Sequence, residues 1–167
     1  MSKMTVEDIA VKNKKVLMRV DFNVPIKGGR VANDKRIREA LPTIRHILKN
    51  GGRLILMSHL GRPKGEKKAE FSLAPCAAAL GEHLGQPVAF APDCIGETSR
   101  AAVAQLKAGQ VLLLENLRFY KAEEKNDAAF AKQLAEWGDV YINDAFGTAH
   151  RAHASTAGMA KFVKEKA

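Results

Sequence analysis

Basic side chains follow, or lie inside, four strongly apolar runs of this sequence. The runs span residues 16–20, 54–57, 111–114 and 140–142, and the basic residues beside them are Arg19, His59, Arg62, Arg118, His150 and Arg151. If the runs are neighbouring parallel strands, these side chains meet at the edge where the strands end. Two unit charges ~4 Å apart at an effective dielectric of ~20 repel by about 4 kcal/mol. The pattern therefore predicts that an anion binds at this edge.

The first of these runs continues as a stretch of alternating polar and apolar residues. In an extended strand, Arg19, Asp21 and Asn23 point to one face, and Pro25 then ends the strand. A cation, a carboxylate and an amide on one face can hold a small charged molecule that carries hydroxyl groups. The alternative is structural, with an Arg19–Asp21 ion pair and with Asn23 capping a turn. This segment alone slightly favours the structural alternative.

The loop at residues 58–63 combines a sharp turn with a basic side chain. Gly61 permits a backbone conformation that other residues disfavour, and Arg62 lies between this glycine and Pro63. A single histidine such as His59 is more often structural than functional. Arg62 is harder to explain in that way, and we interpret it as a ligand-binding residue.

Three further arginines are candidates for the same edge. Arg118 follows Glu115 closely and can either contact a ligand or pair with that glutamate. Arg151 lies in a stretch of small and basic residues that runs into a predicted helix N-terminus, where free N–H groups favour phosphate. Arg36, near the start of the first long helix, either reaches the edge or is an ordinary surface arginine.

The sequence lacks the motifs of several familiar active sites. It has no Walker A pattern, no G-x-G-x-x-G after a strand, no G-x-S-x-G and no H-E-x-x-H. Its two cysteines, Cys76 and Cys94, match no metal-binding spacing. Any catalysis by these residues is therefore expected to proceed by positioning and charge neutralisation.

Short apolar runs alternate with helical patterns along the chain. Strands are predicted near residues 15–20, 53–58, 87–91, 111–114 and 139–143, and the first helix by the apolar stripe Ile37, Leu41, Ile44 and Leu48. Continuous apolarity in the strands indicates a parallel sheet covered on both faces. We predict a three-layer, doubly wound (Rossmann-like) α/β fold with helices on both faces, as one domain over residues 1–167. Pro42 should kink the first helix or mark its first turn.

The composition is that of a soluble globular protein with an excess of positive charge. The net charge is +9, from 27 Lys plus Arg against 18 Asp plus Glu, which favours a phosphorylated metabolite, nucleic acid or an acidic protein as partner. Few aromatic residues are present to stack on bases. No apolar run reaches the ~20 residues of a membrane span, and the N-terminus has no signal-peptide pattern. We therefore expect a cytoplasmic protein.

Four motifs taken together resemble the phosphoglycerate kinase family. They lie at residues 19–25, 58–63, 115–119 and 144–151, in the family's order and approximate spacing. The chain resembles only the N-terminal, 3-phosphoglycerate-binding half of these two-domain enzymes. The resemblance implies that the C-terminal nucleotide-binding domain is absent from this chain, and that the chain binds substrate without turning it over.

The resemblance also implies a role for each matched residue. Asp21 and Asn23 are implied to hydrogen-bond the substrate near its 2-hydroxyl. Arg36 is implied to lie by the substrate carboxylate and to steady the transferring phosphoryl group, which makes it the catalytic residue of this half. The residues implied to grip the 3-phosphate are Arg62, Arg118 and Arg151, with His59 and His150 nearby and Arg19 behind them.

The reaction implied by the resemblance is reversible phosphoryl transfer between ATP and the carboxylate of 3-phosphoglycerate, giving 1,3-bisphosphoglycerate, in glycolysis and gluconeogenesis. The nucleotide is Mg-ATP or Mg-ADP, bound by the other domain, and no cofactor or metal is expected to bind tightly to this chain. The implied partner is the C-terminal domain of the same polypeptide, with hinge-bending closure between the halves. A monomer is expected, without nucleic-acid or membrane partners. The alternative is a non-enzymatic basic α/β module that binds nucleic acid or an acidic protein.

Overall fold

Strands and helices alternate in the computed structural model, which describes residues 11–63, 65–124, 127–144 and 165–166. In chain order the elements are β1 (Lys15–Val20), β2 (Ile26–Lys27), β3 (Arg30–Val31), α1 (Lys35–Lys49), β4 (Arg53–Met57), α2 (Ala74–Leu84), β5 (Ala89–Ala91), α3 (Glu97–Gln105), β6 (Val111–Leu114), α4 (Lys121–Glu124), α5 (Ala128–Ala135), β7 (Val140–Asp144) and β8 (Glu165–Lys166). Short 3-10 helices lie at Ala69–Phe71 and Leu117–Phe119. The predicted strands are confirmed as β1, β4, β5, β6 and β7. None of the helices described here is long and apolar enough to cross a membrane.

One parallel sheet runs through the described residues in the order β5-β6-β4-β1-β7-β8. Every pairing in this order is parallel. Arg19 of β1 lies opposite Met57 of β4 and Asn143 of β7, so these three neighbouring strands reach the carboxyl edge at nearly the same level. β2 and β3 form a separate antiparallel hairpin.

Helices cover both faces of this sheet. On one face, Ile37 of α1 and Leu80 of α2 pack with Met18 of β1 in a single buried cluster. On the other face, Phe130 of α5 packs with Leu17 of β1 in a second buried cluster, which also includes α3. Successive residues of β1 therefore enter different cores, which explains why this strand is apolar without interruption. The predicted three-layer, doubly wound α/β fold is confirmed.

The first helix passes through Pro42 without ending there. Ile37 and Ile44 of its apolar stripe are fully buried. Pro42 lacks the N–H that would bond to the carbonyl of Arg38, but it lies on the exposed side of α1, where water can take that place. The expectation that Pro42 marks the first turn is therefore wrong.

The connections that follow two neighbouring strands, β4 and β6, run to opposite faces of the sheet. β4 leads to α2 on one face of the sheet, whereas β6 leads to α5 on the other. Such a topological switch point leaves a crevice at the strand ends, where doubly wound folds bind their ligands. This switch point lies at the same edge of the sheet as the basic residues singled out in the sequence.

The start of α1 is tied to the end of α2 by the carboxylate of Asp34. Its Oδ1 accepts a hydrogen bond from Nε of Arg38 at 2.8 Å, and its Oδ2 lies 2.6 Å from Nε2 of His83. These contacts, that of His83 foremost, hold the pKa of Asp34 below its ordinary value. The ionised carboxylate is therefore the form that the folded state favours.

We expect this cluster to stabilise the fold in a pH-dependent way. Because the pKa of Asp34 is lowered on folding, its contribution is complete above the ordinary Asp pKa of about 4 and is lost as the pH falls through the lowered value. The measurement is urea unfolding of the wild type and Asp34→Asn from about pH 5 downwards. The stability gap between them should narrow with falling pH. The control is Glu39→Gln, at an exposed carboxylate of α1. A stability difference between the wild type and Asp34→Asn that does not change with pH contradicts the prediction.

Candidate functional site

The segments that follow β1, β4 and β6 are hydrogen-bonded to one another at the carboxyl edge of the sheet. The N–H of Gly61, after β4, donates to Oδ1 of Asn23, after β1, at 2.9 Å. The N–H of Leu117, after β6, donates to the carbonyl of Ser58 at 3.0 Å. The predicted meeting of strand ends is therefore confirmed for these three segments.

Asn116 is the central link between the loops after β4 and β6. Its side chain is fully buried, and Nδ2 donates to the carbonyls of Leu60 at 2.7 Å and Phe71 at 2.9 Å. Its Oδ1 accepts from the N–H groups of Leu60 at 3.2 Å and Arg118 at 3.0 Å. One amide side chain thus uses both of its donors and both acceptor positions of its oxygen. It fixes the backbone beside His59 and at Arg118 at the same time.

Ser58 joins the segment after β1 to the loop after β4. Its hydroxyl is buried, accepts from the N–H of Phe22 at 2.9 Å and donates to the carbonyl of His59 at 3.0 Å. The neighbouring hydrogen bond from the N–H of Gly61 to Oδ1 of Asn23 joins the same two segments. Residues 21–23 are therefore held against residues 58–61.

Glu115 connects the same edge to the start of α2. Its carboxylate is buried and accepts three hydrogen bonds: from the hydroxyl of Ser72 at 2.6 Å, from the N–H of Leu73 at 2.8 Å and from the N–H of Asn116 at 2.9 Å. Hydrogen bonds to an ionised acceptor are stronger than neutral ones. Glu115 thus has a structural role in fixing the loop that leads into α2.

Arg36 reaches the strand-end edge from the first turn of α1. Its Nη1 lies 2.9 Å from Oδ1 and 2.8 Å from Oδ2 of Asp21, and Oδ1 also accepts from the N–H of Asn23 at 3.1 Å. The side chain of Arg36 is 49% exposed and that of Asp21 is 19% exposed. Asp21 therefore forms its ion pair with Arg36, whereas the structural alternative drawn from the sequence paired it with Arg19. Because Nη1 makes both contacts, Nε and Nη2 of Arg36 take no part in this pair.

Arg19 lies beneath the edge, behind His59. It is completely buried; its Nη1 donates to the carbonyl of Val20 at 2.6 Å, and its Nη2 lies 2.9 Å from Nδ1 of His59. Burial lowers the pKa of Arg19, and the buried acid Glu123 is the largest opposing influence. A guanidinium stays protonated under such conditions, so a full positive charge lies directly below the edge.

Arg62 and Arg118 lie on the loops after β4 and β6. Arg62 is exposed and follows Gly61, whose φ of +63° lies in the left-handed region. A Cβ at Gly61 would come within 2.5 Å of the ring of Phe71. Arg118 is only 9% exposed, and its carbonyl accepts from the N–H of Gly65 at 3.2 Å. Both arginines therefore extend from backbone that its neighbours hold in place.

Planar guanidinium groups match the oxygens of a carboxylate or of a phosphate, so the edge is suited to an anion that carries either group. The predicted residues that the structure brings to this edge are Asp21, Asn23, Arg36, His59, Arg62 and Arg118, with Arg19 beneath them. His150 and Arg151 lie outside the described residues, and their places stay predictions. Among the described residues, no group of three or more His, Cys, Asp or Glu is arranged to hold a metal ion.

Sequence reasoning missed the hydrogen bonds that connect the loops. The residues that make them are Ser58, Ser72, Glu115 and Asn116. A signal was present for Asn116, because an asparagine just before a short 3-10 helix, with its side chain accepting a backbone N–H of that helix, is typical of a cap. A polar residue directly after a buried strand must also find partners inside the protein. Which partners these are depends on segments far away in the chain.

Comparison with known proteins identifies a family for this chain. A family profile described as phosphoglycerate kinase matches residues 6–167. A phosphoglycerate kinase of Chloroherpeton thalassium is 61% identical over 165 residues, which cover 99% of this chain and 42% of the relative. One of Pelotomaculum thermopropionicum is 58% identical over 163 residues, which cover 98% of this chain and 42% of the relative. The chain thus spans about 42% of the length of these curated relatives.

Solved structures show the same likeness. The phosphoglycerate kinase of Coxiella burnetii superposes with a TM-score of 0.85 at 42% identity, over 96% of this chain and 39% of that chain. The enzyme of Pyrococcus horikoshii gives a TM-score of 0.85 at 34% identity, over 96% of this chain and 41% of that chain.

Proposed function

Because the chain belongs to the phosphoglycerate kinase family, we propose that it binds 3-phosphoglycerate or 1,3-bisphosphoglycerate at its strand-end edge. The observation that carries this proposal is the joining, at one edge, of the Asp21–Arg36 pair to the loops that bear Arg62 and Arg118. The complete enzyme would transfer a phosphoryl group reversibly between ATP and the substrate carboxylate, in glycolysis and gluconeogenesis.

The 3-phosphate is proposed to lie between the loops after β4 and β6. Arg62 is exposed there on a loop fixed by glycine, and Arg118 extends from backbone fixed by Asn116. Each planar guanidinium can donate two parallel hydrogen bonds to phosphate oxygens. Arg151 and His150 are proposed to complete this group, on the predictions from sequence alone.

The 2-hydroxyl is proposed to lie at Asp21 and Asn23. Oδ1 of Asn23 already accepts from the N–H of Gly61, so its NH2 group is the part that can donate to a substrate oxygen. The carboxylate of Asp21 can accept from the hydroxyl while it holds Arg36 in place. Together the two side chains offer a donor and an acceptor to one hydroxyl group.

Arg36 is proposed to bind the substrate carboxylate and to stabilise the transferring phosphoryl group. Nε and Nη2 are outside its pair with Asp21, and nearly half of its side chain is exposed. A carboxylate is ionised at neutral pH and needs no general base to become a nucleophile. Alignment and charge stabilisation are therefore what the protein must supply, as is usual in phosphoryl transfer.

The nucleotide is proposed to bind to a part of the full enzyme outside this chain. The sequence has no Walker A or dinucleotide-binding motif, and the described residues offer no cluster of metal-binding side chains. We also propose that a second domain of the enzyme is the partner that closes over this edge. The protein is proposed to be a monomer in the cytoplasm, without membrane or nucleic-acid partners.

The test is a calorimetric titration of the 167-residue chain with 3-phosphoglycerate. We expect binding without ATP-dependent turnover, and we expect Arg62→Ala to weaken binding about tenfold to a hundredfold, because a charge-assisted hydrogen bond contributes about 1.5–3 kcal/mol. The control is Arg45→Ala, an exposed arginine further along α1 that donates to the carbonyl of His83 at 3.1 Å. It should bind like the wild type. Absence of binding, or equal affinity of Arg62→Ala and wild type, contradicts the proposed site.

A titration with nucleic acid, at several salt concentrations and with 3-phosphoglycerate as competitor, distinguishes the alternative function from the metabolite site. If the net charge of +9 serves a nucleic acid, affinity for that partner should fall steeply with salt, and 3-phosphoglycerate should not compete for it. Competition by 3-phosphoglycerate favours the metabolite site.

A further inference from the structure

The contact between Arg19 and His59 has a chemical direction. Nη2 of Arg19 lies 2.9 Å from Nδ1 of His59, and both side chains are buried. A guanidinium carries only N–H donors and has no lone pair to accept a hydrogen bond. Nδ1 must therefore be the acceptor in this contact, which requires that it carries no proton.

From this contact we infer that Arg19 is a positioning residue that holds His59 as the neutral tautomer with its proton on Nε2. An imidazole whose Nδ1 is an acceptor carries a single N–H, at Nε2. An imidazolium in the same place would present an Nδ1–H to the N–H of Arg19, with two like charges in contact. In this form His59 carries one N–H donor, at Nε2, and adds no charge of its own.

The charged groups around the pair favour this assignment. Those that act on Arg19 are the acids Glu123 of α4 and Asp21 after β1, which favour its charged form, and Arg118, which opposes it. Glu123 is fully buried, so its interaction with the guanidinium is weakly screened. With Arg19 charged and fixed also by the carbonyl of Val20 at 2.6 Å, the proton of the contact stays on the arginine.

The functional consequence rests on the proposed binding of a phosphorylated substrate. A neutral Nε2–H donates one hydrogen bond to a phosphate oxygen, whereas an imidazolium would also contribute charge that varies with pH. Affinity should therefore depend on the donor at Nε2.

The direct test is nitrogen NMR of the 167-residue chain labelled with 15N-histidine, without ligand. We expect a pyrrole-type shift at Nε2 and a pyridine-type shift at Nδ1 of His59 at neutral pH, with the signals assigned by their loss in His59→Gln. A pyrrole-type shift at Nδ1, or imidazolium shifts at both nitrogens at neutral pH, overturns the inference.

Two substitutions of His59 test the consequence for binding. In His59→Gln, the amide NH2 can take the place of Nε2–H, whereas His59→Asn offers Arg19 an acceptor in place of Nδ1 but no donor towards the ligand. We expect His59→Gln to keep most of the affinity for 3-phosphoglycerate and His59→Asn to lose about tenfold or more. Equal loss in both variants overturns the donor role.

The positioning role of Arg19 has its own readout. In Arg19→Gln the guanidinium is gone, and the amide can either donate to Nδ1 or accept from it, so the two tautomers of His59 should mix. Should this buried substitution prevent folding, the wild-type spectra still decide the tautomer. If NMR shows the inferred tautomer but 3-phosphoglycerate does not bind, the proposed function fails and the tautomer inference stands. If 3-phosphoglycerate binds but NMR shows a different tautomer, the tautomer inference fails and the proposed function stands.

Discussion

Asn116→Leu should remove several kcal/mol of the stability of this fold. Four backbone groups lose their partner at once. Three are buried, namely the N–H and carbonyl of Leu60 and the N–H of Arg118, and the carbonyl of Phe71 is partly buried. Each buried group left without a hydrogen bond costs about 1–3 kcal/mol, and a domain has only about 5–15 kcal/mol in total. Leucine has nearly the shape of asparagine, so the loss reports the hydrogen bonds rather than a cavity.

Asn50→Ala is the matched control for Asn116→Leu. Asn50 also donates through Nδ2 to a backbone carbonyl, that of His46 at 2.7 Å, but it lies exposed at the end of α1, where water can replace it. Its removal should cost at most about 1 kcal/mol. Urea unfolding of both variants gives the comparison. A loss for Asn116→Leu no larger than that for Asn50→Ala contradicts the view that Asn116 holds the loops together.

The sheet and its helices could be predicted from the sequence because buried positions carry apolar residues. β1, β4 and β6 are covered on both faces, so their residues are apolar almost without interruption. The apolar stripe of α1 has the helical period for the same reason. The expectation that Pro42 marks the first turn was wrong because an exposed proline inside a long amphipathic helix removes only one backbone hydrogen bond. The burial of the opposite face of α1 outweighs that loss.

The site could be predicted as a set of residues but not as a network. Because neighbouring parallel strands end at the same edge of a sheet, the sequence predicted that Asp21, Arg62 and Arg118 lie at one edge. The ion pair of Asp21 with Arg36, and the bonds of Asn116 to Leu60, join residues far apart in the chain. Such pairs depend on the relative height of loops, to within a fraction of an ångström, and no local pattern encodes this.

The second large effect is expected for Gly61→Ala, which should both destabilise the fold and weaken binding of 3-phosphoglycerate. At φ +63° an alanine pays about 1–2 kcal/mol for the left-handed conformation. Its Cβ would also come within 2.5 Å of the ring of Phe71, and overpacking of this kind costs typically about 1–3 kcal/mol more. Either the ring of Phe71 or the loop must shift to relieve the contact. We expect the loop to move, and it carries Arg62 and the N–H that binds Asn23.

Gly85→Ala separates the two causes. Gly85 ends α2 at φ +69°, nearly the same backbone conformation, but a Cβ there meets nothing within 4 Å. Gly85→Ala should therefore show the backbone cost alone, with unchanged affinity for 3-phosphoglycerate. The extra loss in Gly61→Ala, by urea unfolding and by calorimetric titration, measures the contact with Phe71 and the displacement of Arg62.

Phe71→Leu combined with Gly61→Ala decides whether the ring is the cause. Removing part of the ring should make room for the new Cβ, so the double variant should lose less stability than the two single losses added together. Affinity should recover with it, because the backbone carbonyl of Phe71 still accepts from Asn116 and the loop can return to its place. If the single losses simply add, or if Gly61→Ala binds 3-phosphoglycerate as tightly as Gly85→Ala does, the loop of Arg62 is not held by this contact and the steric argument for Gly61 is wrong.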